Sequence, residues 1–178
     1  MKSAIITWEN FQDQEVVYPY YFLRGIAGEE STLIYSNVVG KFFGIMGVNM
    51  TSNALLKELV VQDPQTFDLV VLPGGVKSLE KLRQERSVVD WIRGYVEGGG
   101  ILASTCHGAQ LLISAGVCKG RLISGYYSLE DDIYNAGATY SREPVVIDDN
   151  LVTSPHYDFM GEWMNAAVAL VREKDRNG

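Results

Sequence analysis

The sequence predicts an α/β sandwich with a mainly parallel sheet, on three observations. Short β-type runs alternate with helix-length segments along the chain. Several runs are apolar at every position, as in Leu69-Val70-Val71-Leu72. Glycines gather where a strand would pass into a helix or a helix into a strand. A strand that is apolar on both faces must be covered on both, which in α/β domains means parallel strands between two helical layers. The alternation argues against an all-α or all-β domain.

In chain order, the β-type runs are residues 4–7, 32–35, 69–72, 101–104 and 122–124, with 145–147 and 151–153 as a late pair. Helices are expected over 15–27, 87–96, 108–115 and 158–172. Gly74-Gly75, Gly98-Gly99-Gly100 and Gly108 stand at the junctions, where tight βα and αβ turns need residues without a Cβ. Residues 38–48, with Phe42-Phe43 and glycines at 40, 44 and 47, read as a hairpin with irregular edges. No repeat, low-complexity tract or linker interrupts the pattern, so one domain over residues 1–178 is expected.

Composition narrows the functional classes. The chain has 15 Lys and Arg against 22 Asp and Glu, a formal net charge of −7, with the basic residues scattered. That charge repels nucleic-acid phosphates and anionic lipid. No apolar run approaches the length of a membrane helix, and a cytoplasmic location is the expectation. The two cysteines, Cys106 and Cys118, form neither a disulfide framework nor a paired metal motif. No motif for a metal, nucleotide or flavin is present, so no cofactor is expected.

The strongest chemical signal is Ile101-Leu102-Ala103-Ser104-Thr105-Cys106-His107-Gly108-Ala109-Gln110, an apolar strand entering a small-residue turn and then a helix. A nucleophile elbow has this form, with small residues two before and two after the nucleophile, here Ser104 and Gly108. The turn would lift the Cys106 sulfur over the carboxyl ends of the strands, where open α/β sheets bind ligands. A helix N-terminus behind it would favour thiolate. Cys118 lies in a helix-to-strand connection with no acid or base beside it in sequence and reads as structural.

Only His107 and His156 can supply an imidazole. His107 reaches the sulfur only if the elbow turns it back. His156, with Asp158, follows the strand-like 151–153 and would complete a Cys-His-Asp set if that strand neighbours the elbow strand. Glu15, at the start of the first helix, is placed to share a proton with Cys106, and spacing alone leaves Glu9 and Asp13 as competitors. Pro73-Gly74-Gly75 offers free backbone N–H groups for an oxyanion. Asp131-Asp132 reads as a helix start, since adjacent helical residues point apart. Tyr126 is a further candidate.

Several segments together resemble the ThiJ/PfpI superfamily, which includes the PfpI-type intracellular proteases and the Parkinsonism-associated deglycase and shares its fold with class I glutamine amidotransferases. They are Phe11-Gln12-Asp13-Gln14-Glu15 with Tyr18-Pro19-Tyr20, Phe67 through Gly75, Ala103 through Gln110, Ile113 through Val117 with Gly120-Arg121, Asp131-Asp132 with Asn135-Ala136-Gly137, and Asn150 through Ser154. The resemblance covers nearly the whole chain. It implies a flavodoxin-like three-layer sandwich, Cys106 as nucleophile, Glu15 as the carboxyl bonded to its sulfur, and Gly75 and His107 as backbone donors. His107 is also drawn as base in PfpI-type members. A neighbouring subunit's Glu orients it there, and Glu80 is the nearest match to that Glu. The implied activity is cysteine-dependent chemistry on reactive carbonyls or amides, of the glutathione-independent glyoxalase, deglycase or peptidase type. The implied substrate is a small carbonyl compound or a peptide, and the implied assembly a homodimer or larger. The alternatives are a thiol-based stress sensor or protective protein, and an amide hydrolase using Cys106, His156 and Asp158. In one respect the chain departs from PfpI-type members: Pro155-His156-Tyr157 stands where they carry an Arg and, two residues on, a Pro.

Overall fold

The computed structural model describes residues 1–177. Its elements, in chain order, are β1 (Ser3–Ile6), α1 (Asp13–Ala27), β2 (Thr32–Ser36), β3 (Gly40–Phe43), β4 (Asn49–Ser52), β5 (Ala54–Leu55), α2 (Leu56–Leu59), β6 (Leu69–Leu72), α3 (Val76–Leu82), α4 (Arg86–Glu97), β7 (Ile101–Thr105), α5 (Ala109–Ala115), β8 (Leu122–Ser124), α6 (Glu130–Asn135), β9 (Thr139–Ser141), β10 (Val146–Asp148), β11 (Leu151–Ser154) and α7 (Met160–Asn177). Seven strands form the central sheet in the order β10-β11-β7-β6-β1-β2-β5. All neighbours run parallel except β10, which returns antiparallel beside β11 at one edge.

The apolar runs alternate between two cores. Ala4, Ile6, Val70, Leu72, Leu102 and Leu151 face one layer, where Leu79 and Leu82 of α3, Trp91, Ile92 and Tyr95 of α4 and Leu111 and Leu112 of α5 pack. Ile5, Leu69, Val71, Ile101, Ala103 and Val152 face the other, against Val16 and Leu23 of α1 and Trp163, Met164 and Val168 of α7. Neighbouring residues on one strand therefore serve opposite layers, which is why these strands carry no polar face. No described helix is long and apolar enough to cross a membrane.

Three expectations are corrected. The strand at 122–124 forms, but it leaves the central sheet and pairs in parallel with β9. The hairpin pairs Gly40–Phe43 with Asn49–Ser52, so residues expected as its second strand form the loop instead. Helix α3 begins directly after Gly75, where the sequence reading placed only a turn.

The topology fixes where a site can form. From β1 the chain moves outward to β2 and later returns to β6 on the other side of β1, so the connections after β1 and β6 diverge and open a crevice at the carboxyl ends of the strands. Glu15 follows β1, Gly74 and Gly75 follow β6, and Cys106 follows the adjacent β7.

Candidate active site

Cys106 has φ +55°, a conformation rare for a residue with a side chain, and a short 3₁₀ turn, Cys106–Gly108, links it to α5. The surroundings hold this strained geometry in place. A Cβ on Gly108 would lie 2.3 Å from the Leu72 carbonyl oxygen and 2.9 Å from Ser104 Oγ, so only glycine lets the turn close against β6. The Tyr126 N–H donates to the Cys106 carbonyl at 3.1 Å and ties down the far side. This is the elbow expected from the sequence.

The sulfur lies between an imidazole and a carboxyl. His107 is turned back by the elbow, so that its Nδ1 is 3.3 Å from Cys106 Sγ. Burial holds the His107 imidazole below its ordinary value, which keeps it neutral and able to accept a proton. On the other side stands Glu15, fully buried. Its Oε2 accepts from the Gly74 N–H at 2.5 Å. Its Oε1 is buried with no conventional hydrogen-bond partner, and the carboxyl couples to the Cys106 thiol. Burial pushes the Glu15 carboxyl up to about 7, against the opposing pull of the Gly74 N–H and the thiol. Burial thus holds the carboxyl toward its protonated form.

The expected depression of the Cys106 thiol does not occur. Burial pushes it up, and the negative charge of Glu15 adds to this, outweighing the His107 and Gly75 backbone N–H groups that point at the sulfur. With only 6% of the residue exposed, the cost of desolvating a thiolate exceeds what the short helix and these donors return. The resting form is therefore a thiol, with a neutral base and a titrating carboxyl against it.

Two glycines permit the convergence. A Cβ on Gly74 would lie 2.6 Å from Glu15 Oε2 and 2.9 Å from Cys106 Cβ. Gly75 adopts φ +108°, and its missing Cβ would meet the Gln12 nitrogen at 2.7 Å.

The structure sorts the three competing acids. Glu9 faces Asn37, whose Nδ2 donates to its carboxylate at 3.3 Å. Asp13 accepts from the Met46 and Val48 N–H groups, each at 2.8 Å, and so clamps the hairpin loop against the start of α1. Glu15 alone of the three reaches Cys106. Asp131 and Asp132 occupy the first turn of α6, where carboxylates complement the helix dipole.

A cleft of about 400 Å³ opens above the sulfur, with Cys106, His107, Tyr126, His156 and Tyr157 in its wall. Because β11 does lie beside β7, His156 shares the cleft with Cys106 as its position suggested. The sulfur's imidazole partner is nevertheless His107, while His156 Nδ1 faces the Asp158 carboxylate at 3.0 Å. Glu80 is exposed on α3 and does not line the cleft. Cys118 is buried at a separate cleft with Arg83 and Asp132, and burial pushes its thiol up to about 12. The sequence reading missed Gln12, Ile45 and Val76 as cleft residues. Gln12 could have been found from its place three residues before Glu15. Ile45 could not, because it arrives through the long-range clamp by Asp13.

A parallel sheet with its crevice at the β1/β6 switch point and a cysteine on a strained elbow there define a flavodoxin-like α/β sandwich with an elbow cysteine. The chain belongs to the DJ-1/PfpI family, whose model matches residues 1–170. It is 37% identical over 174 residues to a deglycase of Thermococcus kodakarensis, covering 97% of this chain and 100% of that one. To protein/nucleic acid deglycase 2 of Escherichia coli it is 33% identical over 172 residues, covering 96% and 97%. The crystal structure of Drosophila melanogaster DJ-1beta resembles it with a TM-score of 0.84 at 25% identity, covering 99% of this chain and 96% of that one.

Proposed function

We propose that the protein is a cysteine-dependent enzyme that converts α-oxoaldehydes to α-hydroxy acids without glutathione. The observation that carries this reading is geometric: Glu15 and Cys106 are buried side by side against Gly74, with the His107 imidazole 3.3 Å from the sulfur. The relatives named deglycases direct the reading toward reactive carbonyls.

The chemistry follows from the arrangement. His107 takes the thiol proton as the sulfur adds to the aldehyde carbon, so the thiolate exists only while it is bonding and its desolvation cost is never met in the resting enzyme. The backbone N–H groups of Gly75 and His107 stabilise the developing oxyanion. Glu15 removes the hydrogen of the former aldehyde carbon as a proton and returns it to the neighbouring carbon. A carboxyl near pKa 7 suits both directions of that transfer. One carbon is thereby oxidised to a thioester and the other reduced to a carbinol. Water then cleaves the thioester, releasing the hydroxy acid and restoring the thiol.

Incubation with methylglyoxal in D₂O without glutathione tests the proton route. Lactate carrying deuterium at C2 is expected, because a carboxyl that holds the proton exchanges it with solvent. Lactate wholly free of deuterium, together with unchanged turnover in Glu15→Gln, would mean a direct hydride shift and no role for Glu15 as carrier.

A further inference from the structure

The wall of the cleft beside Cys106 is built from rings. His107 stacks on Tyr126 with centroids 4.6 Å apart and planes 27° from parallel. Tyr126 is followed by His156 at 6.3 Å and 30°, and His156 lies 3.8 Å from Tyr157. The ring of Tyr127 backs His156 at 6.4 Å and 22°. The Asp158 carboxylate, 3.0 Å from Nδ1, fixes the His156 ring in the row. Ile45 and Val76 add apolar surface to the same cleft, and among the described residues no Lys, Arg, Asp or Glu lines it.

Such a wall selects by shape and polarity. A row of rings stacked at 27° and 30°, with its last pair tilted at 37°, favours a planar group that meets the rings edge-on or continues the stack, beyond what apolar area alone provides. Away from the Gly75 and His107 N–H groups at the sulfur, the ring wall offers an anionic group no partner in return for its hydration. A methyl group would leave most of a cleft of about 400 Å³ to water.

We propose that the row His107, Tyr126, His156 and Tyr157 is a subsite for a planar, uncharged aryl group next to the reacting carbonyl, and that aryl α-oxoaldehydes are preferred over short aliphatic ones. This rests on the reading of Cys106 as the nucleophile toward an α-oxoaldehyde, and it supplies the substrate class. The reaction balances as before. The sulfur bonds to the aldehyde carbon, that carbon's hydrogen moves as a proton to the aryl-bearing carbon, and one water cleaves the thioester to give an aryl α-hydroxy acid.

The test compares phenylglyoxal, cyclohexylglyoxal and methylglyoxal as substrates, and separately measures binding of mandelate and lactate to Cys106→Ser by calorimetry. The expected results are a kcat/KM at least tenfold higher for phenylglyoxal than for methylglyoxal, with cyclohexylglyoxal behind phenylglyoxal, and mandelate binding at least tenfold tighter than lactate. Tyr126→Leu and His156→Leu should each lower the phenylglyoxal-to-methylglyoxal ratio at least fivefold, with folding of each variant checked by circular dichroism. Turnover that favours methylglyoxal, with mandelate binding no tighter than lactate, would overturn the subsite and leave the cysteine enzyme standing. No turnover of any aldehyde, with mandelate still the tighter ligand, would support the subsite and remove the assigned reaction. Equal rates for the phenyl and cyclohexyl compounds would overturn the preference for planarity.

Discussion

Cys106→Ser is expected to lower turnover of an α-oxoaldehyde by at least about 10³-fold while leaving the melting temperature within about 2 °C of the unmodified protein. Serine has the same branching as cysteine, so it accepts the φ of +55° no worse, and the buried site keeps its shape. What disappears is the nucleophile. An alcohol is far harder to deprotonate than a thiol and a poorer nucleophile, and burial lowers the basicity of His107. Cys118→Ser serves as the control, because Cys118 lies at another cleft and is expected to leave turnover unchanged. Steady-state kinetics with thermal melts on both variants checks the prediction. Comparable activity in Cys106→Ser would remove the nucleophile from the account.

Glu15→Gln is expected to separate stability from activity. An unfolded chain releases the Glu15 proton near 4.5, whereas burial holds it to about 7 in the folded protein. Between those values the folded form binds more protons. Stability from this group is therefore complete below pH 4.5, falls as pH rises through the window, and levels off above 7. The full loss is on the order of 3 kcal/mol. The amide has no charge to bury and its oxygen can still accept from Gly74. The variant should accordingly melt roughly 5–10 °C above the unmodified protein at pH 8 and match it near pH 4. Turnover should fall by about 10²- to 10⁴-fold, since an amide cannot carry a proton between carbons. Melting curves across pH 4–8 with kinetics at pH 7 decide it. Parallel pH profiles for the two proteins would show that Glu15 is ionised in the fold.

What the sequence made legible follows physical lines. The inner strands β1, β6, β7 and β11 were readable because burial on both faces excludes charged residues and puts apolar ones at consecutive positions, as in Ala4-Ile5-Ile6, Leu69 through Leu72, Ile101-Leu102-Ala103 and Leu151-Val152. The elbow was readable because its steric demands fall on neighbouring positions, with Gly108 held against Leu72 and Ser104. Helix α3 was hidden because it follows two glycines and presents Lys77, Glu80 and Lys81 outward. Strands β4, β5 and β9 are short edge pieces whose pairing partners, not their own composition, define them. In the site, adjacency in the sheet order brought out Cys106, Glu15 and Gly75. The direction of the Cys106 shift was not legible, because desolvation depends on how completely three distant segments close over the sulfur. The ring row was legible only in part. His156 and Tyr157 stood out as a departure, but their alignment with Tyr126 and His107 requires β11 to lie beside β7.

The central claim is that Cys106 bonds covalently to the aldehyde carbon and that Glu15 then moves the proton. Rapid acid quench of Glu15→Gln mixed with methylglyoxal, followed by peptide mass spectrometry, tests both halves together. The account predicts an added mass of one substrate molecule on the peptide carrying Cys106, accumulating faster than product forms. Absence of that adduct, or its appearance only on Cys118 or on surface lysines and arginines, would contradict it.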